Sequence, residues 1–191
     1  MSRIPTPVSI DASPEASRAQ LRAVEKSLGS VPNLFRLVAS SPAALGGYLG
    51  LAGALSASKL DAKMQERIAL AVAEINGCNY CLSAHTYLGR NVAKLDDAEI
   101  TANRNGTSID IKASAAVRFA AEIVHARGHV TDEQLAAVRA AGFGAAEIVE
   151  IVLAVALNTF TNYVNEVAKT DIDFPVVTAR RVGATARRVG E

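Results

Sequence analysis

The chain has 191 residues and a mass of 20.0 kDa, enough to bury roughly 70% of its unfolded surface in one core without metal or disulfide staples. Hydrophobic residues make up 50% and charged residues 20%, which excludes a disordered chain. A net charge of +1, with no basic face outside the C-terminal tail, argues against nucleic acid as the main partner.

Pro5 and Pro7 mark residues 1–13 as an extended N-terminal arm. The arm has no apolar stretch that would direct export, so a soluble, cytoplasmic protein is expected. Ser13 followed by Pro14 opens a helix that runs to Leu28 and stops at Gly29. Ser30 to Asn33 form a turn, and Asn33 can cap a short helix over 34–39. Ser41 and Pro42 open a helix to about residue 57, with Gly46, Gly50 and Ala54 on one face, a pattern that suits close helix packing. Asp61 caps a long helix in which Ile68, Ala71, Val72 and Ile75 recur at helical spacing, ending at Asn76 and Gly77. Another helix covers about 78–92, and a short polar one starts at Asp96 or Asp97 and ends at Asn105 and Gly106. Residues 110–126 form a further helix closed by Arg127 and Gly128. Thr131 with Gln134 makes a capping box for a helix to Ala140. The last helix, over 145–168, holds the most hydrophobic segment and ends at residues 171–175. Its longest purely apolar run, 151–157, is far short of the ~20 residues of a membrane span. The reading is an all-α domain over 14–175, followed by a small, basic, mobile tail over 176–191.

One hint of internal repetition is present. A shift of 84 residues lays 66–81 over 150–165, and Glu74, Cys78 and Cys81 then fall on Asn158, Asn162 and Asn165. A degenerate helical repeat, in which one copy kept the reactive groups, would account for the match, as would chance likeness between two Ala/Val-rich helices.

Both cysteines lie in one twelve-residue segment with the spacing Glu74-x3-Cys78-x2-Cys81-x3-His85. Cys78 and Cys81 share a helix face, and His85 stands one turn beyond Cys81. The first sulfur falls in the opening turn of its helix, where unpaired N–H groups and the dipole favour a thiolate. Four readings compete. Two inert buried cysteines would leave the clustered histidine and carboxylate unexplained. A zinc site has the right donor types, but on one straight helix Glu74 and His85 would stand roughly 16 Å apart; a break at Gly77 would be needed to bring them together. A thioredoxin-like exchanger needs a strand before its CxxC, and none is evident. A helical thiol peroxidase uses every group: one thiolate attacks the O–O bond, the other condenses with the sulfenic acid to a disulfide, and an outside reductant resets the pair. His and Glu then move the protons.

The segment resembles the core motif of alkylhydroperoxidase D and the carboxymuconolactone decarboxylase superfamily, most closely its peroxidase-related subgroup. The resemblance extends to Ser30, Val31, Pro32, Asn33, Leu34, Phe35 and Arg36, to residues 157–163, and to Asp173, Phe174 and Pro175. It implies an all-helical fold, no bound cofactor and no metal, and assembly into trimers or hexamers. It implies a hydroperoxide substrate and an external dithiol or protein reductant, such as one of lipoyl type, while the charge balance and short apolar runs leave neither nucleic acid nor membrane as partner. It further implies that Cys81 attacks the peroxide, that Cys78 resolves, and that Glu74 and His85 match the proton-relay positions. Two departures stand out. Tyr80 replaces a second histidine before the attacking cysteine, and the family's relay glutamate lies further upstream than Glu74. The family's true decarboxylases lack the CxxC pair, which makes lactone decarboxylation the weaker assignment. A non-catalytic redox sensor or oligomeric module using the same pair is the alternative from another class.

From the residues alone the roles of the two sulfurs stay open: the helix N-terminus favours Cys78 as thiolate, while His85 favours Cys81. His125 and His129 flank a predicted helix end, where the dipole favours them. Tyr80, Tyr87 and Tyr163 fit a pocket wall or simple packing equally.

Overall fold

The computed structural model describes residues 2–180. Among them are nine helices and no strand: α1 (Glu15–Leu28), α2 (Asn33–Val38), α3 (Pro42–Ser56), α4 (Ala62–Ile75), α5 (Asn79–Asn91), α6 (Asp97–Arg104), α7 (Ile111–Ala126), α8 (Asp132–Ala140) and α9 (Ala145–Ala168). Short polar side chains start most of them by accepting an orphan N–H. Ser41 caps α3, Asp61 caps α4, Asp96 caps α6 and Asp110 caps α7, while Thr131 and Gln134 form the capping box of α8.

Two expected caps are used otherwise. Ser13 gives its hydroxyl to the Ser9 carbonyl at 3.1 Å, and Pro14 leads α1 without a side-chain cap. Asn33 is the first residue of α2; its backbone N–H donates to Asp173 Oδ2 at 2.7 Å and its side chain to the Asp171 carbonyl at 2.9 Å. Distant carboxyl-terminal residues thus cap a short helix that a local side chain was expected to cap.

Helix α4 is the axis of the molecule. Every residue from 68 to 74 is buried, and α5, α6, α7 and α9 pack around it. Alanines at 69, 71 and 73 allow close approach, while Ile68, Leu70 and Val72 fill the space between neighbours. Truncating a fully buried residue such as Leu70 to Ala would cost about 2–5 kcal/mol. One core cluster (Leu21, Leu34, Leu45, Leu70, Leu82) surrounds the cysteines, and a second (Leu55, Val72, Phe119, Val138, Ile151) lies under α7 and α8. Glu99 on α6 locks onto α4 by accepting Arg67 Nε at 2.7 Å, together with the N–H of Ile109 at 2.8 Å.

The turn between α4 and α5 decides where the cysteines go. Gly77 adopts φ 69°, a left-handed conformation that L side chains resist. Around it Cys78 N–H returns to Ala73 O at 3.0 Å and Gly77 N–H to Glu74 O at 3.1 Å. This paired return ends α4 and makes Cys78 the N-cap of α5. Helix α9 runs unbroken from 145 to 168, so the segment shifted by 84 residues shares the helical pattern but not this break. By length and composition α9 could cross a bilayer, yet Ile151, Ala154, Asn158, Asn162 and Asn165 are buried against the rest of the protein.

The termini are tied to the body. Arg3 N–H reaches Ala168 O at 2.5 Å. The closing segment passes over α5: Val177 N–H donates to Ser83 Oγ at 2.9 Å, Ala179 N–H to Asn79 Oδ1 at 2.8 Å, and Arg180 N–H to Glu74 Oε1 at 2.7 Å. Of the region read as a tail, residues 176–180 take these positions, and 181–191 lie outside the described residues.

Candidate active site

Cys78, at the N-cap of α5, accepts the Cys81 backbone N–H on its sulfur at 3.2 Å. One turn on, Cys81 points its own sulfur toward α9, where Asn165 Nδ2 donates to it at 3.3 Å. Both cysteines are reduced and buried. His85 follows after another turn, and its Nδ1 lies 2.9 Å from Glu66 Oε2 on α4. The carboxylate holds a proton on Nδ1 and leaves Nε2 to exchange protons with the site.

These contacts split the two thiols. Burial opposes ionisation of Cys81, but the Cys78 thiol, the charge of His85 and the amides of Asn165 and Asn162 outweigh it and bring the thiol down to about 7. Cys78 moves the other way: its bond to Cys81, then burial, then the Cys81 charge hold it well above the ordinary thiol range. His85 is also penalised by burial, yet the charge and hydrogen bond of Glu66, with Cys81 beyond, raise it. These opposite directions favour a thiolate on Cys81 paired with an imidazolium on His85.

Glu74 stands elsewhere. Its two oxygens are taken by Arg104 Nε at 2.6 Å and the Arg180 N–H, and among the described residues it makes no hydrogen bond to either cysteine or to His85. It lies within α4, before the break, and through these partners it anchors α6 and the closing segment. Glu66, twelve residues before Cys78, makes the carboxylate contact on His85, whereas the resemblance had matched Glu74 to the relay. The one signal for it was the family's more distant relay glutamate. With Glu74 tied to Arg104, the four donors considered for zinc do not converge. Nor does a strand precede the motif among the described residues.

Tyr80 does not act as a second relay group. Its hydroxyl accepts the Leu34 N–H at 3.1 Å, and its ring meets Phe174 edge-on at 5.9 Å. Burial first, then the neighbouring Asp173, keeps the phenol far above its usual range, so it braces α5 against α2 and the closing segment. Tyr87 packs on the same Phe174 at 5.9 Å, while Tyr163 is exposed. His125 sits in the last turn of α7 with His129 just beyond, both exposed and neither part of this site.

A cavity of about 590 Å³ opens onto Cys81 and His85. Phe35, Tyr48, Leu55, Leu88, Leu157 and Phe174 line it, and no Lys or Arg does among the described residues. Its charged groups are acidic or histidine: Glu66, Asp173 and His85. The space therefore suits a neutral, largely apolar molecule that must bring one polar atom to the sulfur.

Residues 42–126 match the model of the carboxymuconolactone decarboxylase family, a stretch that holds Glu66, both cysteines and His85. No curated protein is a significant match to the chain. Among solved structures, an uncharacterised peroxidase-related protein with an alkylhydroperoxidase core from Ralstonia eutropha is 25% identical, with a TM-score of 0.79 over 90% of this chain and 92% of that one. A peroxidase-related protein from a Silicibacter species is 23% identical, with a TM-score of 0.75 over 87% and 91%. The debrominase Bmp8 is 22% identical, with a TM-score of 0.73 over 88% and 91%. These last two are likenesses of fold.

Proposed function

Since the chain belongs to the alkylhydroperoxidase D-like and carboxymuconolactone decarboxylase superfamily, we propose that it is a thiol-dependent peroxidase that reduces neutral organic hydroperoxides through Cys81 and Cys78. The observation that carries this reading is the Cys81 sulfur at the end of an apolar cavity, with its thiol drawn down to about 7 beside the His85–Glu66 pair.

The Cys81 thiolate attacks the terminal oxygen of R–O–OH. The O–O bond breaks, sulfur is oxidised to the sulfenic acid, and RO⁻ leaves with a proton from His85 Nε2. Glu66 steadies the imidazolium before this transfer. The Cys78 thiol then attacks the sulfenic sulfur, water departs, and a disulfide closes between residues three apart. His85 accepts the Cys78 proton and passes it to the leaving hydroxide, which departs as that water; the relay regains its own proton when the disulfide is reduced. An external dithiol reduces the disulfide, and the cycle needs no metal or cofactor. The raised Cys78 thiol suits a group that waits protonated until the sulfenic acid forms.

Assembly belongs to the same proposal. Val149, Val152, Tyr163 and Val167 form an exposed stripe on α9, and α3 beside it presents Leu51 among glycines and alanines. An apolar face of this kind suits a homotrimer or homohexamer.

The test is steady-state turnover of cumene hydroperoxide with a dithiol donor. Many turnovers per protein support a peroxidase; one oxidation followed by arrest marks a redox sensor instead.

A further inference from the structure

The face of α9 turned toward the motif is polar at Asn158, Asn162 and Asn165, in an otherwise largely apolar helix. A buried amide costs stability unless its groups are bonded. Asn158 donates to its own helix, at Ala154 O, over 2.9 Å. Asn165 turns to Cys81, and Asn162 lies beside it. Asn165 donates its Nδ2 to Cys81 Sγ, while its own carbonyl oxygen has no hydrogen-bond partner among the described residues. Asn162 accepts Asn76 Nδ2 on its Oδ1 at 2.9 Å, which fixes the direction of the amide. Its Nδ2 is buried and has no hydrogen-bond partner among the described residues. Both side chains are sealed from solvent, at 0% and 2% exposure.

We propose that Asn162 and Asn165 form a two-amide cradle that holds Cys81 as the thiolate, and so selects it over Cys78 as the nucleophile. This deepens the peroxidase reading and rests on it for the use to which the thiolate is put. A neutral thiol is a weak acceptor, whereas a thiolate makes charge-assisted bonds that are far stronger. One donor bonded to the sulfur and a second, unpaired donor beside it are therefore best satisfied when that sulfur is charged. The opposing influence is the N-terminus of α5, which favours an anion at its N-cap, Cys78.

The other titratable groups around Cys81 are His85 and Tyr80 on α5, Glu66 on α4, Tyr48 on α3, Asp173 in the closing segment and Cys78 at the break, with Glu166 of α9 acting on Cys78. Glu66 and Glu166 bring negative charge, and both tyrosines are held neutral. His85 helps only while protonated. The amides carry no proton equilibrium, so their help persists at every pH, and both draw the thiol down.

The experiment is the pH dependence of Cys81 alkylation by iodoacetamide in the Cys78→Ser protein, with thiolate ultraviolet absorbance read alongside. Asn165→Leu and Asn162→Leu should each raise the midpoint by about one pH unit, a tenfold loss of thiolate below it. The isosteric Asn165→Asp and Asn162→Asp exchange a donor for a carboxylate and should raise it further; they carry the test if the leucine variants fail to fold. An unmoved midpoint in folded variants overturns the cradle. No peroxide enters this measurement, so a shifted midpoint in a protein that turns over no hydroperoxide upholds the cradle and sinks the peroxidase reading alone.

Discussion

Glu66 and His85 meet across the α4–α5 turn, Oε2 to Nδ1 at 2.9 Å, although nineteen positions separate them in the chain. Glu74, which the resemblance matched to the relay, bonds Arg104 and the Arg180 N–H instead. Two carboxylates of one helix thereby take different roles, since Glu66 serves the imidazole while Glu74 holds the closing segment.

The separation is directly measurable. In Glu66→Gln the raised His85 falls back, the imidazole is neutral near pH 7, and Cys81 loses its cationic partner. The alkylation midpoint of Cys81 then moves upward from about 7, and peroxide kcat/KM drops by about 10²–10⁴-fold. Glu74→Gln breaks a mostly buried ion pair with Arg104 and should lower stability by about 2 kcal/mol in urea unfolding, with the midpoint unchanged. If Glu74→Gln moves the midpoint instead, the assignment is reversed.

The two sulfurs should behave differently when taken singly. Cys78→Ser consumes one equivalent of peroxide and stalls as a sulfenic acid that dimedone traps on Cys81. Cys81→Ser does neither. A dimedone adduct on Cys78 in the latter protein would show that the helix N-terminus had prevailed over His85 and the amides.

Native Cys81 reactivity should rise with pH through about 7 and level off above it. The sign follows from the lowered thiol: the thiolate is the reactive form and is lost as pH falls through the folded value. Stopped-flow alkylation of the reduced protein, scored at Cys81 by peptide mapping, checks this; a midpoint in the ordinary thiol range near 8.5 would contradict the site electrostatics.

Gly77→Ala tests the turn. Space is available, since a Cβ there meets nothing within 4 Å, so the cost is conformational, about 1–2 kcal/mol. Chemical unfolding reads the loss directly. A neutral substitution would mean that the paired return at the end of α4 tolerates a side chain.

Light scattering should return a species several times the 20.0 kDa chain mass, and Val152→Asp, on the exposed stripe of α9, should shrink it. A monomer at micromolar concentration removes the assembly proposal.

Helix positions, their caps and the reactive segment were legible from the sequence because they depend on neighbours within one turn. Asp61, Asp96, Asp110 and Thr131 each cap a helix three residues away, and Cys78, Cys81 and His85 lie within two turns of one another. Gly77 announced the break for the same local reason. What the sequence could not order was anything set by how α4, α5 and α9 pack. The identity of the relay carboxylate, the bracing role of Tyr80 and the meeting of Asn165 with Cys81 across 84 residues depend on helix rotation and approach. Those are decided by the summed burial of side chains such as Leu70, Leu82 and Ile151, a quantity spread over the whole core and written in no single segment.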